Sequence, residues 1–135
     1  TGTGLLAIAA VKLWRCRALA TDIDPLAVAA TRRNAHLNAV APWIASAVGA
    51  GLAHPRLNGQ RFDLITANIL AWPLIAMAGD VAAHLEPGGH VVLSGLLDAQ
   101  TRTVAAAYRR RGLILRRRMT IDGWSTLWLS GPPRR

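Results

Sequence analysis

Cysteine, lysine, tyrosine and phenylalanine each occur once in this 135-residue chain, and acidic side chains number only seven. The single cysteine, Cys16, cannot close an internal disulfide, which excludes a disulfide-stapled scaffold and points to a reducing, cytoplasmic setting. Flanked by Arg15 and Arg17, it reads as an inert, partly buried residue. No apolar run comes near the roughly 18 residues that a membrane span needs. The first residues also lack the basic, apolar and small-residue order of a secretory signal. His36, His54, His84 and His90 have neither the spacing nor the cysteine partners of a zinc site, so no metal is expected. No Gly-x-Ser-x-Gly surrounds Ser94, which removes one common serine-nucleophile motif.

Against the seven acids stand sixteen basic residues, fifteen of them arginine, for a net charge of +9. Such an excess attracts polyanions, the ribosome among them. The arginines gather at Arg109-Arg110-Arg111, Arg116-Arg117-Arg118 and Arg134-Arg135. The few aromatics are not interleaved with these runs, as a stacking surface for single-stranded nucleic acid would require. The runs therefore read first as a solvated helix end and a charged edge strand, with a weak ribosome or RNA contact as the alternative. A monomer is expected.

What is abundant is small and branched apolar residues, 52% hydrophobic in all, enough for one core in one domain. Leu5 to Trp14 reads as a buried helix behind a glycine-rich start. Ala18 to Thr21 is a short apolar run that ends in Asp22-Ile23-Asp24-Pro25. Asp24 before Pro25 marks a helix start, running to about Asn38 with Arg32 and Arg33 on its wet face. Trp43 to Val48 and Phe62 to Ala67 read as strands. Pro73 is expected to open a helix to about Leu85, followed by a tight turn at Glu86-Pro87-Gly88-Gly89 and a buried strand from His90 to Ser94. Asp98 is expected to cap a helix reaching about Arg111. Leu113 to Met119 and Trp124 to Leu129 then pair around Asp122-Gly123. Trp14, Trp43, Trp124 and Trp128 are assigned to core or sheet packing. The alternation predicts an α/β fold, a parallel sheet with helices on both faces, closed by an antiparallel strand at or near one edge.

In doubly wound sheets the ligand sits at the carboxyl ends of the strands, and three segments are expected there. Gly2-Thr3-Gly4 opens a helix, where glycine lets a ligand approach the backbone and the helix N-terminus offers free N–H groups. Asp22, eighteen residues after Gly4, stands where an acid accepts hydrogen bonds from the ribose hydroxyls of a nucleoside cofactor; its other reading is a cap on the loop. Loop and acid together do not separate NAD from S-adenosylmethionine. Asn68-Ile69-Leu70, ending a strand just before Trp72-Pro73, separates them. An amine attacking a methyl group must be neutral, desolvated and aligned, and an asparagine oxygen with a neighbouring backbone carbonyl can accept its hydrogens and aim its lone pair. Trp72 reads equally as a border of that amine site or as packing.

These stretches resemble a bacterial family, the ribosomal protein L11 methyltransferases of PrmA type. The matching pieces are residues Thr1 to Ala10, Thr21-Asp22-Ile23-Asp24-Pro25, Thr66-Ala67-Asn68-Ile69-Leu70-Ala71 with Pro73-Leu74, Pro87-Gly88-Gly89, and Leu93-Ser94-Gly95-Leu96-Leu97. The resemblance implies a Rossmann-like, doubly wound, mostly parallel sheet of a class I methyltransferase, with a C-terminal antiparallel strand pair. It implies S-adenosylmethionine as cofactor and amino groups of a large-subunit ribosomal protein as substrate. Thr1, Gly2, Gly4, Asp22, Ile23 and Asn68 would then contact the cofactor. Asn68 would orient the amine, and Leu70 and Trp72 would border the substrate.

The chain departs from the family at its start, where the family has Asp-x-Gly ahead of the residues matching Thr1 and Gly2. It is therefore expected to be a catalytic-domain fragment without the first, central strand and without an N-terminal recognition domain. Such a fragment is expected to be inactive and poorly soluble alone. Val48-Gly49-Ala50 supplies no acid for an adenine amino group, which leaves adenine to backbone contacts and apolar packing. Three other readings stay open: a methyltransferase acting on glutamine, nucleic-acid bases or a small molecule; a nicotinamide oxidoreductase; and a non-catalytic ribosome-associated module.

Overall fold

The computed structural model describes residues 1–133, so the Arg134-Arg135 pair lies outside the described residues. The chain forms two compact units, Thr1–Asn58 and Gly59–Arg135. In the first, α1 (Leu5–Trp14) leads to β1 (Ala18–Asp22), α2 (Pro25–Leu37) and β2 (Ile44–Val48). The two strands pair in parallel, Ala18 opposite Ile44 and Asp22 opposite Val48. Gly4, just before α1, and Ile8 and Val11 on it recur at helical spacing, and all three are buried. Ile8 and Val11 meet Ala35 and Val40, with Ala18, Ala41 and Ile44 packed against them.

Helix α2 starts as its sequence dictates. Pro25 occupies the first turn, and the Asp24 carboxylate accepts from the Leu26 N–H at 2.8 Å. Arg32 is solvent-exposed, yet it is not idle. Its Nε donates to Ser46 Oγ at 2.8 Å and its Nη2 to the Ser46 carbonyl at 3.2 Å, latching α2 to β2. Strand β2 begins after Trp43, not at it, because Ala41–Trp43 closes a 3-10 turn through Trp43 N–H to Val40 O.

The second unit runs β3 (Phe62–Asn68), α3 (Ala71–Ala76), α4 (Ala78–His84), β4 (Leu85–Leu97), α5 (Thr101–Arg109), β5 (Ile114–Ile121) and β6 (Trp124–Ser130). Its sheet has the order β3-β4-β6-β5. Strands β3 and β4 are parallel, and β6 is antiparallel to both of its neighbours. Val91, Leu93, Leu96, Leu127 and Leu129 are fully buried along β4 and β6. Tyr108 of α5, also fully buried, donates its hydroxyl to Leu74 O of α3 at 3.0 Å. Burial pushes that phenol well above its ordinary pKa, so it stays a neutral donor.

Several local expectations are corrected. The helix expected from Pro73 begins at Ala71 and is broken at Met77 into α3 and α4. Proline in the third helical position costs no hydrogen bond, since first-turn N–H groups have no intrahelical acceptor. Asp98 does not cap α5. A 3-10 turn, Asp98–Gln100, intervenes, and the Asp98 carboxylate instead takes the Arg118 guanidinium, Thr120 Oγ1 and Ser125 Oγ. The charged partner on β5 outcompetes neutral backbone donors. The Glu86-Pro87-Gly88-Gly89 turn sits inside β4 as an irregularity. Phe62 faces Leu85 and Leu64 faces His90, so the turn bulges out of the ladder, and it is held by Gly88 N–H to Pro132 O at 2.7 Å.

Of the four tryptophans assigned to packing, Trp14, Trp43 and Trp124 are largely exposed. All three sit at the ends of elements, beyond the buried stretch. Trp128 packs edge-on to His90 across the sheet, ring centroids 5.5 Å apart, with its Nε1 donating to His90 Nδ1. Strand β5 is an edge, exposed along most of its length and carrying Arg116, Arg117 and Arg118, and charge there resists pairing with another chain. Among the described residues, no helix is long and apolar enough to cross a membrane.

Candidate active site

Residues Thr1 to Gly4 form a tight loop closed by Gly4 N–H to Thr1 O at 3.0 Å. Gly2 and Gly4 have φ of +57° and +81°, a region that glycine alone enters without cost. Gly4 O then accepts from Ile8 N–H, so the loop runs directly into α1. Asp22, the last residue of β1, reaches back to it. Its Oδ2 accepts from the backbone nitrogens of Thr1 and Gly2 at 2.6 and 2.8 Å, and its Oδ1 from Asp24 N–H at 3.1 Å.

The Gly2 N–H foremost, with the Asp24 N–H, holds the Asp22 carboxyl well below the usual carboxylate range, outweighing the opposing effect of partial burial. Asp22 is thus an acceptor-only anion at neutral pH. A carboxylate has about four acceptor positions; three are taken, and one on Oδ1 remains. The loop-cap reading and the ligand reading of Asp22 are therefore compatible.

Helix α2 supports the loop through two residues the sequence did not single out. Thr31, fully buried, donates its hydroxyl to Gly2 O at 3.1 Å, and Asn34 donates its amide to Thr3 O at 2.8 Å. A polar residue on the buried stripe of α2, three after Val28, was the available signal for Thr31. The two loop glycines differ in surroundings. A Cβ at Gly4 would lie 2.8 Å from Thr31 Cγ2 and 3.2 Å from Thr31 Cα, whereas a Cβ at Gly2 would meet nothing within 4 Å. Gly4 lets the loop pack on α2, and Gly2 leaves open space over the loop. The expected cofactor residues Thr1, Gly2, Gly4 and Asp22 are thus drawn together by hydrogen bonds. Ile23 follows them, highly exposed.

In the second unit Asn68 ends β3, exposed and opposite Ser94 of β4. Its Oδ1 lies over Gly95, 2.5 Å from where a Cβ on that residue would stand. Leu70 precedes α3 and Trp72 lies in its first turn, and both are more than three-quarters exposed. Neither packs into the core. An asparagine cannot take a proton, but its oxygen can accept N–H bonds. The arrangement suits a nucleophile that arrives neutral and needs aim rather than a base. Gly95 was not singled out, although a lone glycine inside an apolar strand is the signal for a bulge or a close approach.

A glycine loop entering α1, an acid closing β1, and a β6 inserted antiparallel between β4 and β5 make this a class I methyltransferase fold. A ribosomal protein L11 methylase from Lactobacillus delbrueckii subsp. bulgaricus superposes with a TM-score of 0.91 at 35% identity, over 98% of this chain and 67% of that one. An RNA methyltransferase from Salinibacter ruber, solved in complex with S-adenosyl-L-homocysteine, shares the fold at 19% identity and a TM-score of 0.68, over 99% of this chain and 78% of that one.

The family described as ribosomal protein L11 methyltransferase (PrmA) matches residues 1–131, and the chain belongs to it. The ribosomal protein L11 methyltransferase of Brucella abortus (strain S19) is 45% identical over 131 residues, 96% of this chain and 46% of that protein. The chain thus spans about half the length of the curated relatives it matches.

Proposed function

We propose that the full-length protein is an S-adenosylmethionine-dependent N-methyltransferase acting on amino groups of a large-subunit ribosomal protein, with these residues forming its catalytic part. The observation that carries this reading is the Asn68 carboxamide, exposed at the end of β3, in a chain of this family. The names of the relatives support the substrate class, and their greater length supports a further segment for recognising it.

The loop fits the cofactor on its own chemistry. Space is open over Gly2, and Asp22 is an anchored anion with an acceptor position to spare. S-adenosylmethionine, when bound, supplies an electrophilic methyl group on a sulfonium centre. Thr1, Gly2 and Gly4 would hold it through backbone, Asp22 would accept from a ribose hydroxyl at its free position, and Ile23 would offer apolar surface beside it. Asn68 would accept an N–H of the incoming amine and so fix the direction of its lone pair, while Leu70 and Trp72 would shield that amine from water.

The test incubates full-length protein with methyl-labelled S-adenosylmethionine and dissociated large-subunit components from cells lacking the enzyme. Label on amino groups of one ribosomal protein is expected. Label confined to RNA or to side-chain amides would overturn the substrate class, and no label at all would favour a non-catalytic role.

A further inference from the structure

We propose that Gly95 is a positioning residue for methyl transfer, kept free of a side chain so that the Asn68 carboxamide can lie across the backbone of β4. The inference rests on the reading of Asn68 given above. Three observations meet at this residue. The ladder between β4 and β6 slips here. Leu93 faces Leu127 and Leu96 faces Ser125, so Ser94 and Gly95 together span what Thr126 spans alone on β6. Gly95 has φ +78°, the left-handed conformation of a bulge glycine. And a Cβ on Gly95 would stand 2.5 Å from Asn68 Oδ1, 3.3 Å from Ile69 O and 3.5 Å from Ile69 N.

No side chain tolerates 2.5 Å, and the nearest atom is the very oxygen assigned to the amine. Asn68 is itself solvent-exposed, so its amide could otherwise swing among rotamers. The bulge brings backbone of β4 under the end of β3 and gives the carboxamide a floor. Any larger residue would tip Oδ1 out of place. Gly95 thereby acts through Asn68 and not on the substrate.

Backbone strain and the Asn68 contact can be separated. Gly112 has φ +85° and nothing within 4 Å of a Cβ, so Gly112→Ala reports the left-handed strain alone. In the full-length protein, Gly95→Ala is expected to lower Tm by only about 1–2 °C more than Gly112→Ala does, because the exposed Asn68 amide swings aside at little cost in stability. Most of that excess should vanish in an Asn68→Ala background, because the colliding oxygen is gone. With wild-type Asn68, Gly95→Ala should lower kcat about tenfold or more, leave S-adenosylhomocysteine affinity by calorimetry within about twofold, and leave Gly112→Ala activity unchanged.

An excess that persists without the Asn68 side chain, or an unaltered kcat, overturns the role of Gly95. Full activity in Asn68→Ala would instead overturn the reading of Asn68 and the catalytic half of this proposal with it, and the stability cycle would still report the contact. The two failures are thus distinguishable.

Discussion

Asn68→Ala in the full-length protein is expected to lower kcat for methyl transfer by about a hundredfold, with cofactor affinity changed by less than about threefold. The direction follows from the chemistry of the side chain. A carboxamide neither takes a proton nor forms a covalent bond, so its contribution lies in orientation, and misplacement of a reacting atom by about 1 Å can cost that much. Asn68 is an exposed residue at the end of β3 and its Oδ1 rests over Gly95, so truncating it opens no cavity in the core. Stability should therefore barely move, within about 0.5 kcal/mol. Single-turnover rates and thermal unfolding on the same preparation check both halves. A variant that loses stability in proportion to activity would mean that Asn68 is structural.

The second large effect is expected at Gly4. Gly4→Ala forces an L-residue to φ +81° and drives a methyl group to 2.8 Å from Thr31 Cγ2 and 3.2 Å from Thr31 Cα. The left-handed strain alone costs about 1–2 kcal/mol. Thr31 is fully buried, so it cannot swing aside cheaply, and overpacking adds about 1–3 kcal/mol more. The displacement also breaks the Thr31 hydroxyl bond to Gly2 O and loosens the loop that anchors Asp22. Denaturant unfolding should show the loss, and cofactor affinity should fall with it. The companion Thr31→Ser keeps the hydroxyl and removes the nearest carbon, so Gly4→Ala with Thr31→Ser should recover part of both losses. Equal stability of Gly4→Ala and wild type would mean that the loop does not pack on α2 as described. Gly2→Ala carries the left-handed cost without the collision, and it should be the milder change.

Much of this was legible from the chain because the signals are local. Asp24 before Pro25 fixed the start of α2 to the residue, since cap and proline act within one turn. The Asp122-Gly123 turn set the pairing of β5 with β6, and the Thr1 to Gly4 stretch with Asp22 gave the loop and its acid. What stayed hidden depends on partners distant in sequence. Asp98 looks like a cap until Arg118, Thr120 and Ser125 are folded against it. Pro73 looks like a helix start because proline tolerates several first-turn positions. Thr31 and Asn34 show their purpose only when α2 lies along the loop. Gly95 stood in plain view inside a matching stretch, but its meaning needs the slip in the β4–β6 ladder and the Asn68 oxygen above it.

The most direct measurement is a calorimetric titration of S-adenosylhomocysteine into the full-length protein and into Asp22→Ala, with NAD as a parallel ligand. Loss of charge-assisted bonds of about 1.5–3 kcal/mol should weaken binding by about ten- to a hundredfold. Saturable binding by the wild type, that loss in Asp22→Ala and no heat from NAD are the expected results. Equal binding by both proteins, or binding of NAD in place of S-adenosylhomocysteine, would contradict the assignment of the Gly2–Gly4 loop and Asp22 to this cofactor.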